Sequence, residues 1–187
     1  MNFWPATVMP TMPTIHTFSP ESMGSIIQGI SSKSIANNAS VAWTANLAVY
    51  IPFTLSVATT FVKMYTMTGN TAAGNVDVAI YSSNGATRKP DVKLTSAANV
   101  AQSGSFSLQV FDITDITLSP GLYYFAVSNS STGNFEGVAI GTLVIGRTTG
   151  VMQEAAANPL PAVATPVAWA TADFIPVVGA SQVTTIS

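Results

Sequence analysis

Any catalysis by this chain would have to come from very few side chains. The sequence holds one histidine, His16, and no cysteine. A Ser-His-Asp nucleophile site needs its imidazole held rigidly beside a serine and a carboxylate. His16 lies between Pro13 and Pro20, in a stretch with no frame to hold it, so no general base is expected there. Zinc needs several His or Cys ligands, which the composition excludes. Among the eight carboxylates, Asp112 and Asp115 fall close together in a segment of alternating apolar residues. Asp77 or Asp91 would have to join them by folding before a calcium cage or a sugar-cleaving acid pair could exist. Strand-end carboxylates that accept turn hydrogen bonds are the expected state. The stretch from Gly141 to Gly146 lacks the Lys and Ser/Thr of a phosphate-cradling loop. No catalytic, metal-binding or cofactor-binding residue is assigned, and no cofactor is expected.

Binding chemistry has more to draw on. Exposed aromatics on a β-sheet can stack on sugar rings, and Trp43, Trp169, Tyr50, Tyr123 and Tyr124 are the candidates. Aromatic side chains more often fill cores, and adjacent Tyr123 and Tyr124 must point to opposite faces of a strand, so one of them belongs inside. The run Arg88–Lys93 is the one cluster of charge and reads as a solvated loop.

The elements that position these groups are strands. Val76, Val78 and Ile80 alternate with Asp77 and Tyr81, the period-two signature of a half-buried strand. Asn84 and Gly85 close it, since both tolerate positive φ. Pro120 and Gly121 form a corner that leads into the aromatic, β-branched run Leu122–Val127. Leu47–Leu55 is nearly all apolar, and Pro52 confines it to a strand end, an edge or a bulge. Ala58–Met67 is the longest candidate, with Phe61, Lys63, Tyr65 and Met67 expected on one side. A short pairing at Val92–Thr95, a small-residue connector at Ala97–Gly104, and a half-buried strand with Phe106, Leu108 and Val110 inward are expected next. Val138–Ile145, Val167–Ala170, Phe174–Val178 and Val183–Ile186 complete the strand candidates. Strand and turn signals recur every ten residues or so, the spacing of an all-β antiparallel sandwich of jelly-roll type, with an open Greek-key barrel as the alternative.

The chain divides into an extended proline-rich arm over residues 1–40 and a sandwich over 41–187, with a second proline-rich segment from about 146 as a C-terminal extension. Pro5, Pro10, Pro13 and Pro20 block helix and central strand through the arm, while apolar residues between them need cover. Met23, Ile26, Ile27 and Ile30 follow at helical spacing, so a short helix is expected after Ser19. An arm that cannot bury itself is expected to lie on a neighbour, with Phe3, Trp4, Phe18, Met23 and Ile27 as its anchors.

Composition points the same way. Charged residues make up 7% of the 187, against about a quarter in ordinary domains, while mean hydropathy is +0.41. No apolar run reaches the roughly 18 residues that span a bilayer, so no membrane is expected. Net charge is −2, which leaves no basic surface for nucleic acid. The start of the chain has no positive n-region, so a protein made in the cytoplasm without an export signal is expected. Scarce charge implies a surface covered largely by partner protein.

The segments Tyr50–Phe53, Phe61–Tyr65, Gly74–Gly85 and Leu118–Val127, taken together, resemble β-sandwich domains of tailed-bacteriophage structural proteins, of tail-fibre, head-fibre and capsid-decoration type. The resemblance covers about residues 47–128 and carries no catalytic motif. It implies a virion protein made in the host cytoplasm. Its partners would be capsid, portal-vertex or tail subunits and further copies of itself, with a trimer implied for a fibre. A fibre-like appendage of tail or head is the expected role. A capsid-decoration (cement) protein and a module for host-surface glycans are the alternatives.

Overall fold

A computed structural model describes residues 38–139, 150–170 and 174–184. Over these residues the chain is an all-β antiparallel sandwich. Its strands are β1 (Asn38–Ala42), β2 (Ala48–Leu55), β3 (Thr59–Met67), β4 (Asn75–Ser83), β5 (Pro90–Ala101), β6 (Leu108–Leu118), β7 (Gly121–Asn129), β8 (Asn134–Ala139), β9 (Met152–Glu154), β10 (Val167–Ala168), β11 (Phe174–Pro176) and β12 (Val178–Ser181).

The pairings nest. Strand β2 pairs with β7, β3 with β6 and β4 with β5. That is one long antiparallel ribbon folded on itself, and it wraps so that β4 also pairs with β7. Nested ribbon pairs of this kind define the jelly roll. One layer is the six-stranded sheet β10-β9-β2-β7-β4-β5. The other is stitched from two three-stranded sheets, β12-β3-β6 and β1-β8-β11. Strands β11 and β12 form one nearly continuous segment that pairs first with β8 and then with β3. The Val177 amide donates to the Glu136 carbonyl at 2.9 Å and carries the ladder across the break.

The two layers meet over Val49, Ile51, Phe53, Val76, Val78, Ile80 and Phe125 on one side and Phe61, Met64, Phe111, Phe135, Phe174 and Val178 on the other. Phe53 and Phe125 stack with centroids 3.9 Å apart, and Trp43 meets Phe135 edge-on at 4.9 Å. Burial of these side chains is the main stabilising term, at about 25 cal/mol per Å² of apolar surface.

Pro52 follows its restriction. It pairs with Tyr124 of β7, while on the opposite side β9 stops at Tyr50, so no partner needs the missing amide. Elsewhere the structure revises the strand reading. The ladder shifts between Phe61 and Lys63, and this bulge turns Phe61 to the same inner face as Met64 and away from Tyr65. Strand β5 runs 12 residues and absorbs most of the expected connector. In β6 the alternation is as expected but its phase is opposite: Gln109, Phe111 and Ile113 point inward, whereas Leu108 and Val110 are exposed. Phe111 and Ile113 outweigh Leu108 and Val110 in the core. Gln109 tolerates the rim because its amide donates to the Ala101 carbonyl at 2.8 Å. Residues 183–184 pair with no strand.

The outer face of the six-stranded sheet is also covered. Ala48, Tyr50, Ala79, Tyr81, Tyr124 and Ala126 lie under a strap whose Ala157, Leu160 and Ala164 complete a second apolar cluster. The strap, with its cis Asn158–Pro159 peptide, belongs to the proline-rich C-terminal segment. The described part of that segment is thus packed on its own sandwich. Strand β4 is consequently buried on both faces, where half-burial was expected.

Candidate functional site

Several of the polar side chains singled out by sequence hold the strap. The Tyr50 hydroxyl donates to Glu154 Oε2 at 2.8 Å, and the same carboxylate accepts the Thr165 amide at 3.0 Å and its hydroxyl at 2.8 Å. Tyr81 donates to the Pro161 carbonyl. Burial, with Tyr81 and Glu154 alongside, pushes the Tyr50 phenol far above its ordinary range, and burial does the same for Tyr81. Asp77, 2% exposed, accepts the Asn99 amide at 2.6 Å and the Leu160 amide at 3.0 Å. Lys93 Nζ donates to the Leu160 carbonyl at 2.8 Å. These groups are spent on architecture.

The carboxylate pair does not assemble a site. Asp112 forms an ion pair with Lys63 at 2.6 Å on the outer face of the second layer. Among the described residues no group of three or more His, Cys, Asp or Glu is placed to hold a metal ion. Of the aromatic candidates, Trp43, Trp169, Tyr50 and Tyr124 are buried. Tyr123 is half-buried against the core, with its hydroxyl donating to the Ser119 carbonyl. None of the five lays an open ring on the surface. His16 and the arm anchors Phe3, Trp4, Phe18, Met23 and Ile27 lie outside the described residues.

Two surfaces remain. The first runs along β6, an edge strand of its sheet. Leu108 and Val110 stand outward, and Phe106 leads into them from the preceding loop with 58% of its surface exposed. Phe106 also has φ of 50°. A left-handed backbone costs a bulky residue of order 1 kcal/mol, and a bare phenyl ring adds an unfavourable hydration term. The Phe106 amide, bonded to the Gly69 carbonyl at 3.0 Å, fixes this conformation. From Leu108 to Phe111 β6 carries no charge and no proline, the devices that commonly blunt an edge.

The second surface is the turn between β4 and β5. Asn84 organises it: its carboxamide oxygen accepts the amides of Ala86 and Thr87 at 3.1 and 3.0 Å, and its carbonyl accepts that of Arg88. Arg88 is left-handed, with φ of 56°, and the Tyr124 hydroxyl donates to its carbonyl. The expected solvated loop divides in two: Pro90–Lys93 belong to β5, whereas Arg88 and Lys89 are exposed on a braced turn. Neither forms an ion pair with a described carboxylate. Two open grooves flank Arg88, of about 290 and 300 Å³. Sequence reading flagged the charges, but the grooves also need Leu122, Val151, Met152 and Ala168, which lie far along the chain.

No family model, curated protein or solved structure matches this chain. Its function must be read from these surfaces and from the sequence.

Proposed function

We propose that this is a non-enzymatic structural protein of a bacteriophage virion. It acts as a fibre-like appendage of tail or head, anchored to neighbouring subunits by its apolar N-terminal arm. The supporting observation is the strained, exposed Phe106 at the head of the Leu108–Val110 stripe, on the uncharged start of an edge strand that carries Asp112 and Asp115 further along. A chain with 7% charged residues that also holds an aromatic ring in water is built to be covered by protein. Aromatic anchors on apolar patches are where association energy concentrates. The arm supplies a second apolar contact, and copies of the chain, as a trimer in a fibre, are the nearest partners. A capsid-decoration role uses the same surfaces at a different place on the particle.

The test is deletion of residues 1–20 in the full chain. The truncated protein should keep its sandwich, read by far-ultraviolet circular dichroism and thermal melting, and should fail to enter particles. Imaging of labelled full-length protein on particles then assigns head or tail. Normal incorporation of the truncated chain would refute the anchoring role, and absence of the full-length chain from purified particles would refute the virion reading.

A further inference from the structure

The braced turn at Arg88 and its two grooves point to a ligand. The second groove takes its apolar lining from Met152 and Ala168, since Val151 is buried in the core, and Arg88 and Lys89 line it as well. The first, on the other side of Arg88, is lined by Ser83, Asn84, Gly85 and Leu122. Each is at the lower limit of the ~300–1,000 Å³ typical of small-ligand sites, a size for one or two sugar rings and too small for a folded partner.

The chemistry is selective. Guanidinium and ammonium groups recognise oxyanions, and guanidinium does so in bidentate fashion. An apolar floor takes the C–H face of a sugar ring. The hydroxyl of Ser83 suits a ring hydroxyl, while the Asn84 carboxamide is committed to shaping the turn. Exposed cations in a flexible loop would lose much of their binding energy to ordering, which the Asn84 and Tyr124 hydrogen bonds have already met. The left-handed Arg88 adds local strain of the kind that gathers at ligand clamps. The pair of cations also stands out in a chain of net charge −2 with only six Lys and Arg.

We propose that the Arg88–Lys89 turn and its flanking grooves bind an acidic oligosaccharide that straddles Arg88, with a carboxylate or phosphate held by Arg88 and Lys89 and a sugar ring over Met152 and Ala168. This site is independent of the virion reading and does not use the aromatics that sequence nominated for sugars.

The experiment is a titration of the full chain, followed by amide chemical shifts, with a uronic-acid tetrasaccharide, a neutral glucose tetrasaccharide and inorganic phosphate as separate probes. The acidic tetrasaccharide should move the Ser83–Lys89 and Val151–Met152 resonances and bind more weakly as salt rises. Arg88→Gly, which removes the guanidinium and relaxes the left-handed backbone, and Lys89→Ala should each weaken binding at least tenfold while melting curves stay within a few degrees of the parent. Three results would overturn the proposal: no shifts with the acidic tetrasaccharide; equal shifts with the neutral one; or binding that both variants retain. Phosphate binding as tight as the tetrasaccharide's would overturn the carbohydrate assignment, since the apolar floor would then contribute nothing.

Discussion

Replacing Asp77 by Asn tests whether the strap is held as described. Both carboxylate oxygens of this buried residue accept backbone amides, Asn99 at 2.6 Å and Leu160 at 3.0 Å. Asn conserves shape but turns one acceptor into an NH2 donor. Whichever way the amide rotates, one backbone N–H then faces another donor in a site closed to water. Hydrogen bonds to a charged group contribute about 1.5–3 kcal/mol, and an orphaned buried donor costs about 1–3 kcal/mol. Because the two figures describe overlapping losses, a net destabilisation of about 2–4 kcal/mol is expected. For a chain of this length each kcal/mol lowers Tm by about 2–4 °C, so the melt should fall by roughly 10 °C. Urea unfolding followed by Trp43 and Trp169 fluorescence gives the free energy. Amide hydrogen exchange gives the location: Leu160 or Asn99 should lose protection beyond the global change. A destabilisation under about 0.5 kcal/mol, with both amides still protected, would refute the view that Asp77 clamps the strap.

Three further outcomes follow from the same geometry. Burial raises the phenols of Tyr50 and Tyr81 far above their ordinary value and that of Tyr65 to about 12. Above pH 10 the unfolded chain ionises these groups while the folded chain keeps their protons, so stability falls as pH rises, by about 1.4 kcal/mol per pH unit per tyrosine; absorbance at 295 nm should show them silent until the protein unfolds. Glu136 is buried, one of its carboxylate oxygens has no hydrogen-bond partner, and desolvation raises its pKa. Its favourable protonated state is fully present below the unfolded carboxyl pKa and is lost as pH rises through the folded one, so Glu136→Gln should raise Tm at pH 7 and leave it nearly unchanged at pH 4. Phe106→Gly removes the exposed ring and relieves the left-handed backbone, so it should hold or raise stability, by about 1 kcal/mol at most, while abolishing incorporation into particles; an unaltered incorporation would sink the docking role of this stripe.

Local signals were legible in the chain because they depend on neighbours within a few residues. The alternation of Val76, Val78 and Ile80, the Asn84–Gly85 turn, the Pro120–Gly121 corner and the restriction on Pro52 all arise from backbone sterics and the two-residue repeat of a strand, and together they imply the antiparallel sandwich. Which face of β6 turns inward was not decided by alternation, because Phe106, Leu108 and Val110 compete there with Phe111 and Ile113, and only the opposing layer settles which set is buried. The bulge beyond Phe61 is likewise a property of the pairing with β6. The proline-rich strap gave no sign of its destination: Leu160 is claimed by Asp77 and Lys93, both more than sixty residues away in sequence. One Arg88 groove exists only where the β4–β5 turn meets the root of the strap, and the other only where that turn meets Leu122 of β7. Periodicity is written along a chain, whereas competition for one interior and contact between distant segments are properties of the closed structure, and the tertiary fold alone resolves them.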